Sequence, residues 1–181
     1  MALVHKLIEI RWHARAGQGA KTAAQALALA ALADGKSAQA FPEYGPERRG
    51  APLRAYTRFA DLPIRRHDGI TDPDVVVVLE PSLLHEVKVG EGLKQGGTIL
   101  VNGDEPPTEL AGLHVRCVPA VRLAAEQGSA FVNLVMLGAV AAELGTPSLE
   151  LVQQAAVKAL GGKLGAAEIS AAVARGHAWL N

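Results

Sequence analysis

A chain of 181 residues, 49% hydrophobic and with a mean hydropathy of +0.16, can bury one substantial core without staples. Lysine plus arginine equals aspartate plus glutamate at 18 each, so no global field draws the chain to nucleic acid or to an anionic membrane. The single cysteine, Cys117, excludes an internal disulfide and any iron–sulfur or zinc site built from several thiolates of this chain.

Residues 1–6 lack the apolar run of a signal peptide, and no window reaches the roughly 18 apolar residues of a membrane span. A cytoplasmic protein is expected. Residues 7–12 alternate Ile8, Ile10 and Trp12 with Glu9 and Arg11, which predicts a first strand. It leads through His13 into the turn Ala16-Gly17-Gln18-Gly19. The alanine- and leucine-rich residues 20–33 predict a helix, stopped by Asp34-Gly35. Residues 37–41 predict a second strand, parallel to the first, with the next segment at its carboxyl end.

That segment runs Phe41-Pro42-Glu43-Tyr44-Gly45-Pro46-Glu47-Arg48-Arg49-Gly50-Ala51-Pro52. Three prolines fix φ and two glycines admit positive φ, so it is neither a continuous helix nor a central strand. Arg48 and Arg49 present adjacent rigid forks of donors suited to carboxylates, phosphates or backbone carbonyls, with Glu43 and Glu47 nearby to compensate. A solvated loop with local ion pairs is the plainer alternative.

Residues 52–59 read as extended. Residues 74–79 contain an apolar β-branched run that predicts an interior parallel strand, ended by Glu80-Pro81-Ser82. A short helical connection over 83–89, a buried strand over 97–102 and a last strand over 113–118, with His114 and Arg116 facing outward, follow. Helices are predicted over 121–126, 131–144, 148–160 and 166–179. Without repeats or long linkers, residues 1–181 form a single α/β domain: a mostly parallel sheet flanked by helices, with a helical C-terminal portion folded back upon it.

The turn Gly17-Gln18-Gly19 precedes a helix N-terminus, where backbone donors and the helix dipole suit an anion. Its spacing fits neither standard nucleotide loop, so a tight structural turn stays open as the alternative. Glu80 sits at the strand end where open α/β sheets place ligands, and it equally suits an N-cap. The six histidines show no metal-ligand spacing. His13 is the one best placed to touch a ligand, against a satisfied turn histidine. Cys117 reads as a buried, inert thiol, and no nucleophile with a base is legible.

Ile10-Arg11-Trp12-His13 leading to Gly17-Gln18-Gly19, then the 41–52 segment and the valine strand, together resemble the gamma subunit of 2-oxoacid:ferredoxin oxidoreductases, in the pyruvate/2-ketoisovalerate branch. The sequence departs from that family's glycine-rich loop at Ala14 and Ala16. The resemblance implies a multi-subunit enzyme that decarboxylates a 2-oxoacid oxidatively to acyl-CoA and CO2; pyruvate, 2-ketoisovalerate and aryl oxoacids such as phenylglyoxylate are the substrates it suggests. It places thiamine diphosphate, Mg and [4Fe-4S] clusters on partner subunits of alpha, beta and delta type, with coenzyme A as co-substrate. Ferredoxin, or a flavin/NAD subunit, accepts the electrons. This chain is then non-catalytic alone, holds no metal, and contacts a subunit or cofactor surface through Gly17, Gln18, Gly19, Arg48 and Arg49. The alternative is a stand-alone nucleotide or coenzyme A binding module built on residues 19–22.

Overall fold

In a computed structural model, residues 6–43, 50–128, 131–160, 162 and 165–181 are described. A six-stranded sheet has the order β2-β3-β1-β4-β5-β6, with β1 at Ile8–Arg15, β2 at Ser37–Glu43, β3 at Pro52–Ala60, β4 at Val75–Val78, β5 at Thr98–Asn102 and β6 at Val115–Val118. β1, β4, β5 and β6 pair in parallel, as the predicted α/β architecture requires. β3 is antiparallel to both of its neighbours.

β2 therefore runs in the direction of β1, as expected, but is not its neighbour. β3 runs antiparallel to both and lies between the two strands. β1 also extends beyond the expected residue 12, because its ladder with β3 continues to Arg15 opposite Pro52. Pro42 lies on β2, an edge strand, and Pro52 begins β3; both are positions a sheet tolerates.

The helices α1 (Ala20–Ala33), α2 (Ala120–Ala125), α3 (Val132–Leu144), α4 (Leu149–Leu160) and α5 (Ala166–Leu180) share one large core with the sheet face that carries Ile10, Trp12, Phe59, Val77 and Leu100. α3 is buried from Asn133 to Ala141 and packs against α5. Among the described residues, no helix is long and apolar enough to cross a membrane.

Among the described residues, the opposite sheet face carries no α-helical layer. Over β4 and β5 it holds a small core of Val76, Val78, Ile99 and Val101, closed by Val89 and Leu110 from the connecting loops. The expected helix over 83–89 is reduced to a 3-10 turn, Pro81–His85, and Val89 is drawn into this small core instead. Over β1 and β3 the same face is polar yet buried: Arg58 is 0% and Glu9 4% exposed. Their charges face each other at 3.4 Å. Arg11 donates to the backbone carbonyls of Thr71 at 3.3 Å and Val89 at 2.8 Å, fastening two connecting loops to the sheet.

His13 lies inside β1 and is 2% exposed, not in the turn after it. Its Nε2 accepts from Arg11 Nε at 3.1 Å, so it is a satisfied core histidine. Burial, then the charges of Arg11 and Arg54, push it down to about 3. In the unfolded chain it titrates near 6.5. Below that pH the unfolded state binds a proton that the folded state refuses. The stability this provides is complete above pH 6.5 and falls by roughly 1 kcal/mol per pH unit on the way toward about 3. Urea unfolding midpoints between pH 7 and pH 4 should show that slope. His13→Gln, which keeps an acceptor for Arg11 and cannot be protonated, should flatten it; an unaltered slope would assign the loss to other groups.

Candidate functional site

The carboxyl ends of β1, β4 and β5 converge on one cavity of about 520 Å³, lined by Gly17, Gln18, Gly19, Thr22, Glu80 and Asn133 on its polar side and by Val121, Phe131 and Leu160 on its apolar side. β1 hands over to α1 through a turn in which Gly17 has φ 98° and Gly19 φ 81°. Side chains rarely adopt these left-handed values. A Cβ on Gly17 would meet nothing within 4 Å, whereas one on Gly19 would lie 2.5 Å from Asn133 Nδ2.

Gly19 is the N-cap of α1 and has no side chain to cap it. Gly19 and Thr22, at the end of the helix whose first N–H groups have no intrahelical acceptor, line the cavity. Asn133 closes the arrangement from α3 by donating to the Gly19 carbonyl at 3.3 Å.

Glu80 follows β4, borders the cavity and takes the N-cap position expected of it. One oxygen accepts from Ser82 N at 3.3 Å and caps the 3-10 turn; the other accepts from Gln18 Nε2 at 2.7 Å. Burial pushes its carboxyl up, but the hydrogen bonds from Gln18 and Ser82, with the charge of Arg15, outweigh that and hold it below the usual range. Asn102, at the end of β5, is wholly engaged in the scaffold. It donates to the Leu79 carbonyl at 3.0 Å and accepts from Ala120 N at 3.1 Å, which fixes the start of α2.

Arg48 and Arg49 lie outside the described residues. Both flanks of their segment reach the glycine turn's end of the sheet. On the far side, Ala16 N donates to the Ala51 carbonyl at 3.0 Å and Arg15 donates to the Gly50 carbonyl at 3.1 Å. On the near side, Glu43 accepts from the Tyr56 hydroxyl and faces Arg54 at 3.5 Å. A second cavity, of about 670 Å³, opens beside this root on the helix-free face, over Phe41, Tyr56, Arg54 and Asp72.

Arg15 and Asn133 were not singled out by sequence reasoning. Asn133 carried a signal, as the one amide in a helix that is apolar over its buried stretch; Arg15 carried none, since its partners are up to 71 residues away. Cys117 is half-buried on β6, and burial, followed by Asp104 and Glu105, pushes its thiol up, away from the reactive thiolate. Among the described residues, no group of three His, Cys, Asp or Glu side chains could hold a metal ion.

The chain matches the pyruvate ferredoxin/flavodoxin oxidoreductase family over residues 9–179. It is 47% identical over 173 residues to the pyruvate/ketoisovalerate oxidoreductases common subunit gamma of Thermococcus kodakarensis, covering 92% of this chain and 94% of that one. It is also 47% identical over 161 residues to the pyruvate synthase subunit PorC of Methanothermobacter marburgensis, covering 88% and 90%. The crystal structure of the pyruvate oxidoreductase subunit PORC from Thermotoga maritima superimposes with a TM-score of 0.81 at 37% identity, covering 96% of each chain.

Proposed function

This chain belongs to the pyruvate ferredoxin/flavodoxin oxidoreductase family and is a gamma-type subunit of a multi-subunit 2-oxoacid oxidoreductase, and we propose that it supplies the assembly with a contact surface rather than with reacting groups. The observation that carries this reading is the joining of the glycine turn to the root of the Pro/Arg segment by the Ala16–Ala51 and Arg15–Gly50 hydrogen bonds. Gly17, Gln18, Gly19, Arg48 and Arg49 belong to that surface, at a subunit or cofactor boundary. Exposed backbone donors at a helix N-terminus and paired guanidinium forks suit carboxylates, phosphates and carbonyl oxygens.

The chain's own residues do not fit the remaining cofactors of such an enzyme. One cysteine cannot ligate a [4Fe-4S] cluster, and Glu80, the acidic side chain of the cavity, is engaged by internal hydrogen bonds at both oxygens. Thiamine diphosphate with its Mg ion, and the clusters, therefore belong to the alpha, beta and delta-type subunits. Coenzyme A is the acyl acceptor, and ferredoxin or a flavin/NAD subunit takes the electrons. No step of the reaction is assigned to this chain's side chains.

The test is a comparison of the native complex with the isolated chain, assayed on pyruvate, branched-chain and aryl 2-oxoacids with coenzyme A. The complex should form the thioester and the chain alone should not. Thioester formation by the single chain would overturn the reading. Micromolar binding of a nucleotide or coenzyme A by the isolated chain in calorimetry would favour the self-contained binding module, since a site completed across an interface is only partly formed alone.

A further inference from the structure

Both ends of the Gln18 amide are engaged within the fold. Its oxygen accepts the Arg15 backbone N–H at 2.7 Å, and its nitrogen donates to Glu80 Oε2 at 2.7 Å. The other Glu80 oxygen accepts from Ser82 N at 3.3 Å, and Ser82 Oγ accepts from the Arg15 guanidinium at 2.9 Å. Traced from Arg15 through Gln18, Glu80 and Ser82, the bonds return to Arg15 and close a ring. The amide orientation is fixed by its neighbours, because a backbone N–H requires an acceptor and a carboxylate requires a donor.

Arg15 extends the ring outward. The same guanidinium donates to the Gly50 carbonyl at 3.1 Å and pairs with Glu86 at 2.5 Å, while the neighbouring Ala16 N–H holds Ala51. The ring thus joins the end of β1, the glycine turn, the exit from β4 and the returning flank of the Pro/Arg segment. One donor and one acceptor committed at opposite ends of the amide hold the Gln18 side chain in a single orientation. The backbone at Gly17, with open space where a Cβ would be, can be approached freely.

We propose that Gln18 and Glu80 are positioning residues, and that the Arg15–Gln18–Glu80–Ser82 ring holds the glycine turn and the flank at Gly50 and Ala51 as one preformed contact surface for the partner subunits; this rests on the function proposed above. A surface already ordered before association avoids the cost of ordering it during association. Opening the ring should therefore weaken assembly even though the fold persists.

An exchange of the two side chains tests this. Gln18→Glu sets a second carboxylate against Glu80 and removes the donor between them. Adding Glu80→Gln restores the ring with one bond reversed: the amide at 80 donates to the carboxylate at 18, its oxygen still accepts from Ser82 N, and the carboxylate at 18 still accepts from Arg15 N. The measurement is the dissociation constant of this subunit from the remaining subunits of the complex, with kcat/KM of the reassembled enzyme beside it. Gln18→Glu should weaken assembly by about tenfold or more, the scale of one charge-assisted hydrogen bond. The exchanged pair should return to within about threefold of the unsubstituted subunit. Unsubstituted affinity in the single variant, or an exchanged pair as weak as the single, would overturn the proposal. Should Gln18→Glu fail to fold, Glu80→Gln replaces it as the single variant, since it too leaves one ring bond unmade. If alanine at Arg48 and Arg49 weakens assembly while the exchange series does not, only the ring's role is wrong; if neither does, the proposed contact surface fails with it.

Discussion

Replacing Gly176 by alanine should lower the stability of the folded chain by about 3 kcal/mol and its Tm by about 10 °C, and Gly138→Ala should do the same. α3 and α5 run antiparallel in close contact, Val135 against Gly176 and Gly138 against Val173. A Cβ on Gly176 would fall 1.7 Å from the Val135 carbonyl oxygen and 3.1 Å from Ala139 N, and one on Gly138 would fall 1.8 Å from the Val173 oxygen and 2.9 Å from His177 N. These are backbone atoms on the partner helix, so no rotamer change relieves the clash. The helices must separate, and the apolar side chains of α3 on either side lose their close packing. The gain in helix propensity from glycine to alanine, about 1 kcal/mol, works in the other direction and is outweighed. Gly165→Ala is the control: a Cβ there meets nothing within 4 Å, and it should change stability by less than about 0.5 kcal/mol. Urea unfolding of the three variants checks the ranking, and equal stabilities would show that the two helices can part without cost.

The parts of the fold that were legible are those fixed by local chemistry. α1 was readable at both ends because an alanine-rich run meets a glycine before it and Asp34-Gly35 after it. β4 was readable because a run of valines suits burial on both faces, which a strand flanked by parallel neighbours has. The position of β3 between β2 and β1 was not readable, since its alternation of arginines with Ala55, Thr57 and Phe59 is equally that of an edge strand facing water. Only the structure shows that Arg58 is wholly buried opposite Glu9. His13 was misplaced for the same reason: the polar face of β1 looks like an exposed face until the loops fastened by Arg11 cover it. At the site, the glycine turn announced itself by composition. Its closure by Asn133, 114 residues away, depends on how α3 is laid against the sheet, which the one amide of that helix does not by itself reveal.

Arg48→Ala with Arg49→Ala is expected to have the largest functional effect of any change outside the core. Glu43 and Tyr56 hold one flank of their segment, and Arg15 and Ala16 hold the other. The described flanks of that segment are thus anchored at the glycine turn's end of the sheet. Each fork lost from a desolvated contact removes about 2 kcal/mol or more. Two together should weaken assembly at least about a hundredfold, while the isolated subunit, its core untouched, keeps its Tm.

The decisive measurement is the assembly and 2-oxoacid-dependent, coenzyme A-dependent turnover of the complex carrying both alanines. A subunit that folds but is lost from the complex, or a complex whose turnover falls at least about tenfold, is the result expected of a contact surface at this end of the sheet. A complex that assembles and turns over as the unsubstituted enzyme does would contradict it.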